Sequence, residues 1–274
     1  MILRLLTLLA LSVAAGLIWF FLWGPGQLPP GLRLASTTST QDSGLLDHLI
    51  PLYEAESGVD VVVIAKGTGA AIRDGLAGNV DALLVHNQVR EEELVASGHA
   101  LSRLPIMSNT FLIVGSKDHP PYAHLSGVIR VLSSGQRGLF LSRGDQSGTH
   151  AAEVRLWEAF GHTPADFGDW YAKTGTGMGQ TLITANANAA ATLVDSATWA
   201  RHGDRDALHI WHDGAGNDLL TNPYGYLALN PALIPGVQAD LAQDFGAWLT
   251  GETGQAAIAD YLIGGMQAFQ PHTP

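Results

Sequence analysis

The segment Ser36 to Gly44, reading STTSTQDSG, opens with five consecutive hydroxyl side chains, Ser36 to Thr40. One hydroxyl is enough to cap a helix by accepting an N–H of its first turn, so five in a row offer a surplus of donors. The segment follows a short apolar run and precedes an amphipathic one. That places it at the carboxyl end of a strand and at a helix N-terminus, where unpaired N–H groups and the positive dipole end favour anions. Two other segments share this strand-to-helix setting. Gly67-Thr68-Gly69 lets a ligand approach the backbone closely, although the third glycine of a dinucleotide fingerprint is missing. Ser142 to His150, SRGDQSGTH, supplies Arg143, whose planar fork of donors suits an oxyanion, together with Ser147, Gly148 and Thr149. Each segment also has a plainer reading: a cap, a tight βα turn, or an Arg143–Asp145 surface pair of little value alone. Three such segments in one chain favour a small oxyanion held by neutral dipoles and about one cation. With only three lysines, Lys66, Lys117 and Lys173, the chain builds no polyphosphate cradle.

The segments are spaced along an alternation of strands and helices. Leu32–Ala35, Val59–Ala65, Asp81–Val85, Phe111–Val114 and Gly138–Leu141 read as strands, and residues 219–229 read as extended. Helical patterns cover Leu45–Ser57, Ala70–Leu76, Glu91–Ser97, Thr149–Phe160, Ala239–Trp248 and Gln255–Leu262. Such alternation predicts α/β layers around mostly parallel sheets. No internal repeat is visible, and the Ala-rich stretch 185–191 is the one biased segment.

Composition removes several classes of function. Of 274 residues, 25 are acidic and 14 basic, a formal net charge of -11, which argues against a nucleic-acid partner. The absence of cysteine rules out disulfides, a Cys-zinc site, a thiol nucleophile and a lipid anchor on an N-terminal Cys. A hydrolase serine at Ser147 lacks the glycine two residues before it, where Asp145 stands. His209 and His212 could share one face, but no HExxH pattern accompanies them. No catalytic residue, metal or cofactor is expected.

The run Leu5 to Trp23 holds 19 residues without a charge. As a helix it spans roughly 28 Å, close to a bilayer core. Arg4 precedes it and no other Lys or Arg follows until Arg33, so the remainder of the chain is expected outside the cytoplasm. An uncleaved signal anchor is favoured over a signal peptide, because Gly16 to Trp23 continues apolar past the candidate cleavage site at Ser12-Val13-Ala14.

The order of these motifs resembles the tungstate-binding proteins of ABC transporters. The resemblance is carried by LASTTSTQDSGLLD (Leu34–Asp47), by Gly67–Gly69 followed by DALLVH (Asp81–His86), and by FLSRGDQSGTH (Phe140–His150) with Glu153 and Trp157 beyond it. Trp170-Tyr171, GMGQTL (Gly177–Leu182), Thr192-Leu193-Val194-Asp195, Thr198, Trp248-Leu249 and Gly254-Gln255 continue it. It implies a type II periplasmic-binding-protein fold: two α/β lobes joined by two crossover strands, near Leu104–Phe111 and Leu219–Tyr226, with the ligand in the interlobe cleft. The implied organisation is an anchor or signal peptide over 1–26, a linker over 27–31, one lobe from 32–108 plus 225–274, and the other from 109–224. Thr37, Thr38, Ser39, Thr68, Arg143, Ser147 and Thr149 match the ligand-contacting motifs, with Arg143 as the charge partner. The implied ligand is tungstate or molybdate, and the implied partners are an ABC permease and its ATPase. A membrane-tethered sensor or accessory domain for the same anion is the alternative. Departures from the pattern include Ser36 for Thr, Lys66 before the GTG turn, Asn87-Gln88 for Ala-Pro, Thr110 for Asp and Ala191 for Tyr.

Overall fold

The computed structural model of the chain describes residues 31–136, 138–202 and 205–272. The helix expected over 1–26, and all but the last residue of the linker 27–31, lie outside them. Among the described residues no helix is long and apolar enough to cross a membrane.

Strands β1 (Leu32–Thr37), β2 (Val61–Lys66) and β3 (Ala82–Val85) pair in parallel with β1 in the middle. Their connections hold α1 (Thr38–Ser43), α2 (Leu45–Ser57) and α3 (Thr68–Leu76), and α4 (Gln88–Ala96) follows β3. The long β4 (Leu104–Ser116) leads to α5 (Leu125–Ser133), β5 (Phe140–Ser142), α6 (Gly148–Ala159), β6 (Tyr171–Lys173), α7 (Met178–Ala187), β7 (Ala191–Asp195), α8 (Ser196–Arg201) and β8 (Leu208–Asp213). The chain then returns through β9 (Thr221–Ala228) and ends on α9 (Ala239–Thr250), α10 (Glu252–Asp260) and short extended pairs. The sheet order is β2-β1-β3-β9-β4-β7-β5-β6, with β8 also paired to β4.

Parallel pairing holds on the outer strands, but every pair made by β4 and β9 with the strands beside them is antiparallel. The expectation of mostly parallel sheets is corrected accordingly. A strand running back across the sheet pairs antiparallel without needing a crossover helix, and β9 is such a return between β3 and β4. β4 serves both halves of the sheet: Leu104–Thr110 pairs with β9, and Phe111–Ser116 with β7 and β8.

Burial explains why these runs are strands. In β3 every residue is buried, as expected for a strand covered on both faces. Ala82 and Leu84 pack with Leu49, Phe245 and Leu249, whereas Leu83 and Val85 pack with Ile72, Leu94 and Leu229. In β4 the same period of two sends Phe111 and Ile113 toward Val128, Ile129 and Trp157, and Leu112 and Val114 toward Met178, Leu182 and Val194. The hydroxyl-rich segment is helical from Thr38 rather than a loop throughout. Thr37 caps α1 by accepting the Thr40 N–H at 3.2 Å, and Gly44 ends it at φ +78°. The elements α5, β6, α7, β7, α8 and β8 were not distinguished by the sequence patterns.

Gly115 in β4 lies flat against the Trp211 indole, and a Cβ there would enter the ring. Trp211 is buried and donates from Nε1 to the Ser116 carbonyl at 3.0 Å, so it cannot move aside freely. Gly115→Ala is expected to destabilise the chain by about 1–3 kcal/mol, read as a lower urea midpoint at unchanged slope.

Candidate anion site

The three segments that the sequence singled out converge at the carboxyl ends of β1, β2 and β5. Thr37, Ser39, Thr68, Ser147 and Thr149 are all no more than 1% exposed, and Arg143 is 2% exposed. Thr38, at the start of α1, is partly buried. Direct hydrogen bonds tie the segments together. Arg143 Nη2 donates to Thr38 Oγ1 at 3.3 Å, and Gly148 N donates to Thr68 Oγ1 at 3.2 Å. Within the third segment Arg143 Nη1 donates to Thr149 Oγ1 at 3.4 Å, and Ser147 Oγ caps α6 by accepting His150 N at 3.2 Å. All seven predicted residues therefore meet in one place. A groove of about 530 Å³ beside them is bordered by His86, Glu92, Arg155 and Thr221.

Arg143 does pair with Asp145, Nη2 to Oδ2 at 2.6 Å, but with the guanidinium buried and the carboxylate partly buried the pair is not a surface one. Burial on its own would raise the Asp145 carboxyl. Arg143 and the Ser147 N–H, at 3.1 Å, outweigh that and hold it below the ordinary range. Arg143 Nε is buried and has no protein acceptor among the described residues. Lys66, the cation that precedes the Gly67-Thr68-Gly69 turn, is half-exposed and paired with Asp74.

Sequence reasoning missed a fourth segment and a buried polar chain. Thr174, Thr176 and Thr181 bond to one another around the start of α7, at 2.8–3.2 Å. Gly177 there lies against Thr38, with room for a Cβ only 3.3 Å from Thr38 Oγ1. The signal was available, because Gly175-Thr176-Gly177 repeats the Gly67-Thr68-Gly69 pattern. The polar chain starts at Ser39 Oγ, 3.1 Å from His86 Nε2. His86 Nδ1 is 2.9 Å from Asn222 Oδ1, Asn222 Nδ2 donates to Asn109 Oδ1 at 2.8 Å, and Asn109 Nδ2 donates to Asp195 Oδ1 at 3.2 Å. Asn109 and Asn222 face each other across β4 and β9, a pairing that no local pattern reveals. Burial, reinforced by the nearby positive charge of Arg143, drives the His86 pKa down to about 3, so the ring is neutral at physiological pH.

A family model described as a PBP superfamily domain matches residues 27–253. The tungstate-binding protein TupA of Peptoclostridium acidaminophilum is 38% identical over 241 residues, covering 86% of this chain and 82% of that protein. The chain belongs to this family of ABC-transporter binding proteins. Solved structures agree. The tungstate ABC transporter structure from Geobacter sulfurreducens is 40% identical, with a TM-score of 0.76 over 84% of this chain and 98% of that one. TupA from Desulfovibrio alaskensis G20 is 33% identical, with a TM-score of 0.74 over 89% of this chain and all of that one, 100%. Family membership thus accounts for the α/β architecture and for a site made of donors without a nucleophile: these are binding proteins and not enzymes.

The state of His86 gives this family member a pH signature. An unfolded histidine takes up a proton near pH 6.5, whereas the folded ring resists protonation down to about 3. The stability contributed by the neutral ring is therefore complete above pH 6.5 and is lost as pH falls toward 3, at up to about 1.4 kcal/mol per pH unit. His86→Gln, which does not titrate, is expected to flatten the fall of the urea midpoint between pH 6.5 and 4 relative to wild type. Parallel curves for the two proteins would show that His86 is protonated in the fold.

Proposed function

We propose that this chain is the extracytoplasmic substrate-binding protein of an ABC importer, and that it captures an oxyanion, tungstate first and molybdate second, for delivery to a permease and its ATPase. The observation that carries the reading is a buried Arg143 that bonds the hydroxyls of Thr38 and Thr149 from two strand-to-helix segments and keeps its Nε without a protein acceptor among the described residues. A tetrahedral dianion accepts hydrogen bonds and donates none, so a site rich in N–H and O–H donors suits it. The names of the relatives support tungstate as its identity. Residues 32–108 plus 225–274 and residues 109–224 would be the two lobes, with crossovers near 104–111 and 219–226. Support comes from the shared strand β4 and from donors contributed by both parts. The apolar run Leu5 to Trp23 would hold the protein to the membrane.

Calorimetric titration of the full chain with sodium tungstate is expected to give one site per chain, and heat with phosphate but none with tungstate or molybdate would overturn the reading. A charged hydrogen bond contributes about 1.5–3 kcal/mol. Arg143→Ala should therefore weaken tungstate binding at least roughly tenfold. Arg143→Lys should restore it only in part, because an ammonium lacks the planar fork. Lys66→Ala should leave affinity unchanged, and loss of binding in that variant with none in Arg143→Ala would move the site. Mass spectrometry of cell fractions is expected to find the N-terminal residues on the membrane-bound form. A soluble form beginning after Ala14 would contradict the anchor.

A further inference from the structure

The five hydroxyls from Ser36 to Thr40 look equivalent in sequence, but their surroundings give their protons different destinations. Ser36 Oγ donates to the Leu84 carbonyl at 2.9 Å. The rest follow from Asn222. Its Nδ2 donates to Asn109 Oδ1 at 2.8 Å, and it lies 3.2 Å from the Tyr224 hydroxyl, so Asn222 turns its oxygen toward the His86 ring. A neutral imidazole has one N–H, and Asn222 Oδ1 at 2.9 Å requires it on Nδ1. Nε2 then carries a lone pair, and at 3.1 Å only Ser39 can be the donor. With its own proton committed, Ser39 accepts from Thr37 at 3.0 Å, and Thr37, its proton committed in turn, accepts from Thr40 at 2.8 Å. Thr38 is the one whose proton is left uncommitted. Its Oγ1 accepts from Arg143, and its proton has no acceptor among the described hydrogen bonds.

We propose that His86 is a positioning residue that fixes the direction of the hydroxyl protons in this segment, so that Thr38 is the one side chain among Ser36–Thr40 that donates to a bound oxyanion. Ser39 and Thr37 shape the site from behind, with their hydroxyl protons committed within the protein. Thr37, Thr38 and Ser39, alike by residue type, therefore have different roles. His86 also joins the donor segment to β9 through Asn222, to β4 through Asn109, and to the α8 cap through Asp195, which accepts Thr198 N at 2.9 Å. The neutrality of the ring, with its pKa near 3, agrees with the single N–H that the geometry requires. The inference rests on the oxyanion reading for its ligand. The direction of the chain rests on the protein alone.

Two measurements test it separately. Ring-nitrogen NMR of the full chain without any anion is expected to place the His86 proton on Nδ1 between pH 5 and 8. A proton on Nε2, or on both nitrogens, overturns the proposal whatever the chain binds. In sodium tungstate titrations, Ser39→Ala and His86→Leu each break the same link. Their double variant should therefore bind no worse than the weaker single, whereas Thr38→Ala, a loss of roughly five- to tenfold, should add to either. His86→Gln offers one donor and one acceptor and should bind within roughly threefold of wild type, a rescue that also decides the matter if His86→Leu fails to fold. A silent Thr38→Ala, or Ser39→Ala and His86→Leu effects that add fully, would show that Ser39 donates to the anion directly. Failure of wild type to bind tungstate or molybdate would sink the ligand assignment, and the NMR result would still decide the direction of the chain.

Discussion

A guanidinium cannot be withdrawn from water without partners, and the site of this protein is organised around that requirement. Arg143 is 2% exposed. Taking such an ion out of water costs several kcal/mol unless acceptors replace the solvent. Asp145 supplies the opposite charge, and the hydroxyls of Thr149 and Thr38 supply further acceptors. Thr38 belongs to a different strand-helix unit, so the requirement reaches beyond one loop and holds α1 against α6. Asp145 is itself partly desolvated, and Arg143 and the Ser147 N–H offset that. The pair is therefore close to neutral as a unit. What remains positive around it is backbone: the N-termini of α3, α6 and α7, each equivalent to roughly half an elementary charge. A dianion would meet a field of nearly matching magnitude without a second buried cation.

The parts legible in the sequence were those encoded locally. Leu45–Ser57 shows its apolar face at helical spacing and forms the helix expected. The Arg143 and Thr68 segments announced themselves by residue type, and their neighbours in space are each other. Thr38–Ser43 was harder: its polar residues carry no amphipathic period, and the turn of helix they form is set by the Thr37 cap and Gly44. Short strands such as Tyr171–Lys173 have too few residues to show a period at all, and only pairing with β5 defines them. His86 stands in the sequence only as the end of a motif, because a histidine after a buried strand is ordinary. Its partner Asn222 is 136 residues away. Lys66 departs from the pattern beside a glycine turn, yet it is half-exposed and its partner is Asp74 on α3.

The shared strand β4 and the late strand β9 have a consequence for how the chain matures. β3 gains its second neighbour only when Ala82–Val85 pairs with Gly225–Ala228, and α9 and α10 then cover the same half through Phe245, Leu249 and Ile258. Closing loops of that length before their contacts are rewarded slows folding and leaves apolar surface uncovered meanwhile. A polypeptide emerging N-terminus first would expose Leu34, Leu46 and Leu84 until the last fifth of the sequence had followed. The portion between, from β5 to β8, packs largely on itself and on the second half of β4. Its order of assembly would thus run from the inside of the sequence outward, and the early segments would depend on holdase chaperones or on rapid export for protection from aggregation.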